Sequence, residues 1–229
     1  TGSAEAGATV LLYPGVGPGS AGIGPFGVPS PALGTATADA SGLWTLTSTS
    51  LADGVHSLTA TADDAAGNTS AASVGLTVTI DTVTPPVPVG LDLVAASDSG
   101  VLSTDDRTND ATPTITGSAE AGSTVRLYDG LGPVSDPVGP FAPASALATA
   151  TADAFGQWTL TSASLADGVH SLTATAIDAA GNTSVPSLGL SVTIDTIAPT
   201  LPLDLALAGG GSAAADATPD ITGSAEPGS

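Results

Sequence analysis

The feature that most restricts what this chain can fold into is its repetition of itself. Leu51-Ala-Asp-Gly-Val-His-Ser-Leu-Thr-Ala-Thr-Ala62 returns unchanged as Leu165 to Ala176, an offset of 114 residues (165 against 51). Asp64-Ala-Ala-Gly-Asn-Thr-Ser70 matches Asp178 to Ser184, and Thr79-Ile-Asp-Thr82 matches Thr193 to Thr196, at the same offset. Thr1-Gly-Ser-Ala-Glu-Ala-Gly7 returns as Thr116 to Gly122 and again as Thr222-Gly-Ser-Ala-Glu-Pro-Gly228. Solenoid units span roughly 20–50 residues. A period this long, with several strand-like runs inside it, describes whole domains in series.

The repeats set the expected divisions. Residues 82–195 form one complete domain. Residues 1–81 form a domain lacking its first segment, because Thr1 sits where the complete copy has Thr116. Residues 196–229 supply the opening segment of a third, truncated copy. With no initiator Met, the chain reads as an excerpt of a longer array. Nothing in it reads as a signal peptide, and no apolar run is long enough to span a bilayer.

Gly 29 and Pro 18 among many Ser, Thr and Ala suggest low complexity, but disorder combines low hydrophobicity with high charge. Here hydrophobic residues make up 41% and charged residues 10%, so the chain can build a core. Aromatics at 3% leave that core to Val, Leu, Ile and Ala. Asp+Glu 22 against Lys+Arg 2 gives a net charge of -20, which repels phosphate backbones and anionic lipid. Neither nucleic-acid binding nor membrane insertion is expected. The absence of Cys excludes disulfide scaffolds, thiolate metal sites and thiol catalysis. The absence of Lys excludes Schiff-base and P-loop chemistry.

Within the complete copy the apolar residues alternate. Ser123–Tyr128 sets Val125 and Leu127 against Thr124, Arg126 and Tyr128 on the opposite face. Val169–Ile177 sets His170, Leu172, Ala174 and Ala176 against Ser171, Thr173 and Thr175. Gln157–Leu160 pairs Trp158 with Leu160, and Leu188–Asp195 is another alternating run. With Val89–Val94, Pro113–Gly117 and Ala146–Ala152, this makes about seven strands in about 100 residues, the arithmetic of an Ig-like β-sandwich. Asp178-Ala-Ala-Gly-Asn182 reads as a hairpin turn, since Gly181 and Asn182 tolerate left-handed angles. The fold class is therefore all-β, as tandem Ig-like sandwiches of antiparallel strands in an elongated array. Asp81–Pro88 and Asp195–Pro202 join successive copies, and their prolines make them stiff spacers.

Thr112–Val125, His170–Asn182 and Val192–Thr196 resemble the bacterial Ig-like repeats of large type I-secreted surface adhesins of the RTX or biofilm type. The resemblance covers nearly the whole chain. It implies an extracellular array at the bacterial cell surface that extends a terminal binding domain, supports adhesion or biofilm formation and stiffens with calcium. One departure is that residues 130–145, and 15–31 in the first copy, are longer and richer in Gly and Pro than a tight turn.

Tracing alternating strands assigns each acid to a pole. The pole where the complete copy ends gathers Asp98, Asp105, Asp106, Asn109, Asp110, Asp167 and Asp195. The opposite pole carries Glu120, Asp153 and Asp178, expected to face Asp81 of the preceding copy across the linker. Short Asp and Asn side chains with turn carbonyls suit a hard cation of six to eight ligands. The candidate calcium ligands are Asp81, Asp98, Asp105, Asp106, Asp110, Glu120, Asp178 and Asp195. Asp is also an ordinary turn residue, and the spacing is not that of an EF-hand. The excess of Asp over the three Glu and the resemblance favour calcium.

No active site is found, and the chain is not expected to be an enzyme. His170 and Ser171 are adjacent on one strand and point to opposite faces, so they cannot act together. His56 and His170 read as core-edge packing residues, and Trp44 and Trp158 as core anchors. Partners are neighbouring domains of the same chain and, in one alternative, a host or matrix ligand bound by the Gly/Pro-rich loops around Phe26 and Phe141. A second alternative is a non-catalytic accessory array of a secreted enzyme. Because residues 196–229 are the segment the first copy lacks, one chain's tail is also a candidate to complete another chain's head by strand addition.

Overall fold

A computed structural model describes residues 1–15, 31–100, 102–132, 145–208 and 218–226. The described residues are all-β, without a helix. They cluster into two compact units, Thr1–Thr84 with Ala179–Asn182, and Pro85–Asp178 with Thr183–Ser229. The Gly/Pro-rich stretches around Phe26 and Phe141 lie outside the described residues.

The first unit contains β1 (Gly2–Ser3), β2 (Thr9–Pro14), β3 (Gly34–Thr37), β4 (Leu43–Trp44), β5 (Gly54–Asp63) and β6 (Leu76–Ile80). One sheet runs β3-β2-β5-β6, and β1 pairs with β4 through only two residues on each side. Val10 and Leu58 are buried, whereas Trp44 is only partly covered and Leu76 is exposed.

The second unit contains β7 (Val89–Leu93), β8 (Arg107–Thr108), β9 (Thr114–Ser118), β10 (Thr124–Asp129), β11 (Ala148–Thr151), β12 (Gln157–Thr161), β13 (Gly168–Ile177) and β14 (Leu190–Ile194). A sheet ordered β11-β10-β13-β14-β8 faces one ordered β12-β9-β7. The seven strands read from alternation are all present. Residues at inward positions from both sheets meet in one core of Leu93, Ile115, Trp158 and Leu160 against Val125, Leu127, Leu172 and Val192. Each such aliphatic side chain contributes about 1.5–3 kcal/mol by leaving water. Gly117 lies under the Trp158 ring, where a Cβ would sit 2.5 Å from the indole, so the close approach of β9 to β12 requires glycine there. Two further strands, β15 (Leu203–Leu207) and β16 (Ile221–Ser224), form a hairpin.

Three features differ from the alternation reading. Tyr128, Thr173 and Thr175 were placed on an outward face, yet all three are buried. The chain after β10 folds back over two of them: Thr173 donates its hydroxyl to Gly130 O at 2.6 Å, and Gly132 lies against Tyr128. The segment after Asp178–Asn182 does not run on as a paired hairpin strand. Only Ile177 and Thr183 form a bridge, and serine hydroxyls then stand in for the ladder. The Ala176 and Ala174 amides donate to Ser184 Oγ and Ser187 Oγ at 2.9 Å each, while the Ser184 and Ser187 amides donate back to Ala176 O and Ala174 O. Ser70 and Ser73 do the same for Ala62 and Ala60 in the first unit. Finally, β8 lies inside what reads as a loop, and it pairs parallel to β14.

Candidate functional site

The acid-rich segment between β7 and β9 is built from short polar side chains that tie its backbone to the core strands. The Ser97 and Asp98 amides both donate to Val94 O, which turns the chain out of β7. The Gly100 amide donates to Arg107 O at 3.0 Å, closing a loop within the segment. β8 then anchors it to the sheet, because Thr193 N donates to Asp106 O and Asp195 N donates to Thr108 O, at 2.9 Å each. Asp110 ends the segment: its Oδ1 accepts from Thr112 N at 2.8 Å, and its Oδ2 from Ser97 Oγ at 3.3 Å. Asn109 accepts from Ser99 Oγ at 2.9 Å.

Two carboxylates here are not explained by turn geometry. Asp98 is 5% exposed, and its Oδ1 has no hydrogen-bond partner among the described residues. An unpartnered buried carboxylate oxygen costs several kcal/mol unless something compensates it. Asp106 adopts φ 55, a left-handed conformation that Asp tolerates better than most residues. Burial raises the Asp106 carboxyl above its ordinary value, and the negative fields of Asp92, Asp98 and Asp105 raise it further. The Leu93 amide donates to it and opposes part of that shift. Beside this group, Asp105, Asn109, Asp195 and Arg107 line a hollow of about 370 Å³.

The segment thus brings Asp98, Asp105 and Asp106 together, with Asp110 bracing its end and Asp195 at its edge. Asp92, on β7, joins them, although strand alternation alone gave no reason to single it out. The donors are hard anionic oxygens, the type calcium takes. They are not converged on one point: among the described residues, no three His, Asp or Glu side chains form a ready metal-holding group.

The other acids stand apart. Asp195 Oδ1 accepts from Ile197 N at 3.1 Å and Asp81 Oδ1 from Val83 N at 3.0 Å, so each caps the chain leaving its own domain. Asp167 and Asp53 hold the next residue in the same way, accepting from the amides and hydroxyls of Thr196 and Thr82. Glu120 is exposed, and Asp178 is half-buried. Asp153 Oδ1 accepts from the Phe155 and Gln157 amides. Asp64 does the same for Ala66 and Asn68, and its hydrogen bonds from Asn68 hold its carboxyl below the ordinary value.

His170 is a half-buried edge residue with two polar partners: its Nε2 lies 2.8 Å from Ala166 O, and its Nδ1 2.8 Å from Asp129. The first contact, then the second, raises its pKa above 6.5. Among the described residues His56 keeps only the contact to Ala52 O at 2.7 Å, because Pro14 stands where the complete copy has Asp129.

A family model described as a bacterial Ig-like domain matches residues 29–82 and 84–196, well over half of the chain. No curated protein matches the chain in sequence. Among solved structures, fibronectin(III)-like modules of CbhA from Clostridium thermocellum align at 18% identity with a TM-score of 0.44, covering 85% of this chain and 82% of that one. The BSP domain of a biofilm associated protein aligns at 19% identity with a TM-score of 0.32, covering 84% of this chain and 26% of that one.

Proposed function

Because this chain belongs to the bacterial Ig-like domain family, we propose that it is a spacer in an extracellular adhesin of the type I-secreted kind at the bacterial cell surface, braced by calcium. Serial sandwich domains separated by proline-bearing linkers extend whatever they carry away from the cell. The observation that carries the calcium reading is buried Asp98, with an unpartnered oxygen beside Asp92, Asp105 and Asp106. Asp98, Asp105 and Asp106 would hold the ion, with Asp92 alongside. Bound there, the cation supplies positive charge that turns mutual repulsion into cross-linking. The chain's own part is to hold the segment through β8, Asp110 and Ser97, so that ligands on it are tied to the edge of the β13–β14 sheet. Asp81, Glu120, Asp178 and Asp195 remain proposed ligands at the ends of the domains.

The test is thermal unfolding with and without millimolar calcium. Extracellular modules bind calcium at roughly 10⁻⁴–10⁻³ M, so 1 mM should stabilise the complete domain by about 1 kcal/mol, a rise of several degrees. Asp98→Asn should lose most of that rise. An unchanged wild-type midpoint would overturn the calcium brace.

A further inference from the structure

We propose that His170 is a proton-operated clasp on the loop between β12 and β13, and through that loop on the point where the chain leaves the second unit. The ring stands between a carboxylate oxygen and a backbone carbonyl, both of which accept. Its Nδ1 is 2.8 Å from Asp129 Oδ2, and its Nε2 is 2.8 Å from Ala166 O. A neutral imidazole has one N–H and one lone pair, so it satisfies only one of the two. The imidazolium, with two N–H groups, satisfies both. The His170 side chain is only 15% exposed, so a lone pair turned toward an oxygen there finds little water to relieve it.

Loss of the proton releases Ala166 and not Asp129. A hydrogen bond to a carboxylate is roughly twice as strong as one between neutral groups, so the neutral ring keeps its proton on Nδ1. Its Nε2 lone pair then faces Ala166 O, and that contact opens. Ala166 precedes Asp167, whose Oδ1 accepts from Thr196 N at 3.0 Å and from Thr196 Oγ1 at 2.9 Å. Those bonds hold the chain just beyond the end of β14, so a looser loop makes a looser exit. Acidification firms the departure of the chain from the second unit, and a rise in pH slackens it.

Among the described residues, no other charge competes for the ring. The Ala166 carbonyl first, and Asp129 second, raise its pKa above 6.5, against its desolvation. The other charge on β10, Arg126, lies opposite Thr175, and β14 places Val192 opposite His170. Asp167 and Asp195 are turned to Thr196 and Ile197. The first unit carries the control. His56 holds its Nε2 2.7 Å from Ala52 O, and Asp53 holds Thr82 as Asp167 holds Thr196. With Pro14 in place of Asp129, a neutral His56 ring keeps its proton on Nε2, and that exit is held at either pH.

Heteronuclear NMR of the full chain in chelator, at about pH 5.5 and about pH 8.5 on either side of the ordinary histidine range, tests the clasp apart from any calcium effect. At the higher pH the ring nitrogen shifts should place the His170 proton on Nδ1 and the His56 proton on Nε2. Protection of the Thr196 amide from solvent exchange, corrected for the intrinsic rate, should fall about five-fold from the lower pH to the higher, the effect of losing one hydrogen bond. Protection of the Thr82 amide should stay constant. In Asp129→Asn, Thr196 should be protected alike at both pH values, because the Asn amide can donate to Nδ1 and leave the proton on Nε2. A neutral His170 protonated on Nε2 in the wild type overturns the proposal, as does equal Thr196 protection at the two pH values. So does a fall that Thr82 shares or that persists in Asp129→Asn.

Discussion

At the scale of single residues, the two copies show how one substitution changes the chemistry of an otherwise identical segment. Leu51–Ala62 and Leu165–Ala176 are the same, yet only His170 meets a carboxylate, because Asp129 replaces Pro14 on the neighbouring strand. The folded His170 pKa lies above 6.5, so its stabilising contribution is complete below that value and disappears as pH rises through the folded pKa. Asp129→Asn should therefore destabilise the second unit most near pH 5.5, where the imidazole is charged. By pH 8.5 the gap should close. Denaturant unfolding at stepped pH checks this, and a gap that widens with pH would contradict it. The partner was not legible in the sequence, since alternation places His170 near an edge without saying which strand lies beside it.

At the scale of elements, alternation located seven of the eight strands of the complete sandwich, but neither β8 nor the serine ladder between Asn182 and Leu190. Ser184 and Ser187 look like ordinary loop residues in the chain. Their role follows from where β13 lies: its buried amides need acceptors, and a segment that departs from strand geometry supplies hydroxyls. Ser187→Ala leaves the buried Ala174 amide unpaired and should cost about 1–3 kcal/mol. Ser73→Ala removes the same bond from Ala60 at an exposed site, where water can replace it, and should cost less. Equal losses by chemical denaturation would show that burial does not set the difference. The β8 pairing was hidden for a related reason: two residues in an acid-rich segment carry no periodic signal, and the sheet edge at β14 selects them.

At the scale of the whole molecule, the units should unfold separately. The second has a core closed from both sheets, whereas the first keeps Trp44 partly exposed and buries few large side chains. Calorimetry in chelator should resolve two transitions, with Trp44 fluorescence reporting the lower and Trp158 the upper. Calcium should raise the upper one, because the Asp98–Asp110 segment has no counterpart in the first unit. One transition seen equally by both tryptophans would refute this independence. The sequence by itself determined the repeat, the all-β sandwich, the strand positions and the pole at which Asp98, Asp105 and Asp106 collect. Period and alternation are local properties, readable wherever strands face a core. Tertiary structure alone decided that Asp98 is buried with its Oδ1 unpartnered among the described residues, that Asp92 joins it, and that the β15–β16 hairpin has the shape of the β7–β9 pair. Burial, register and proximity depend on which distant strands meet, and no window of residues contains that information.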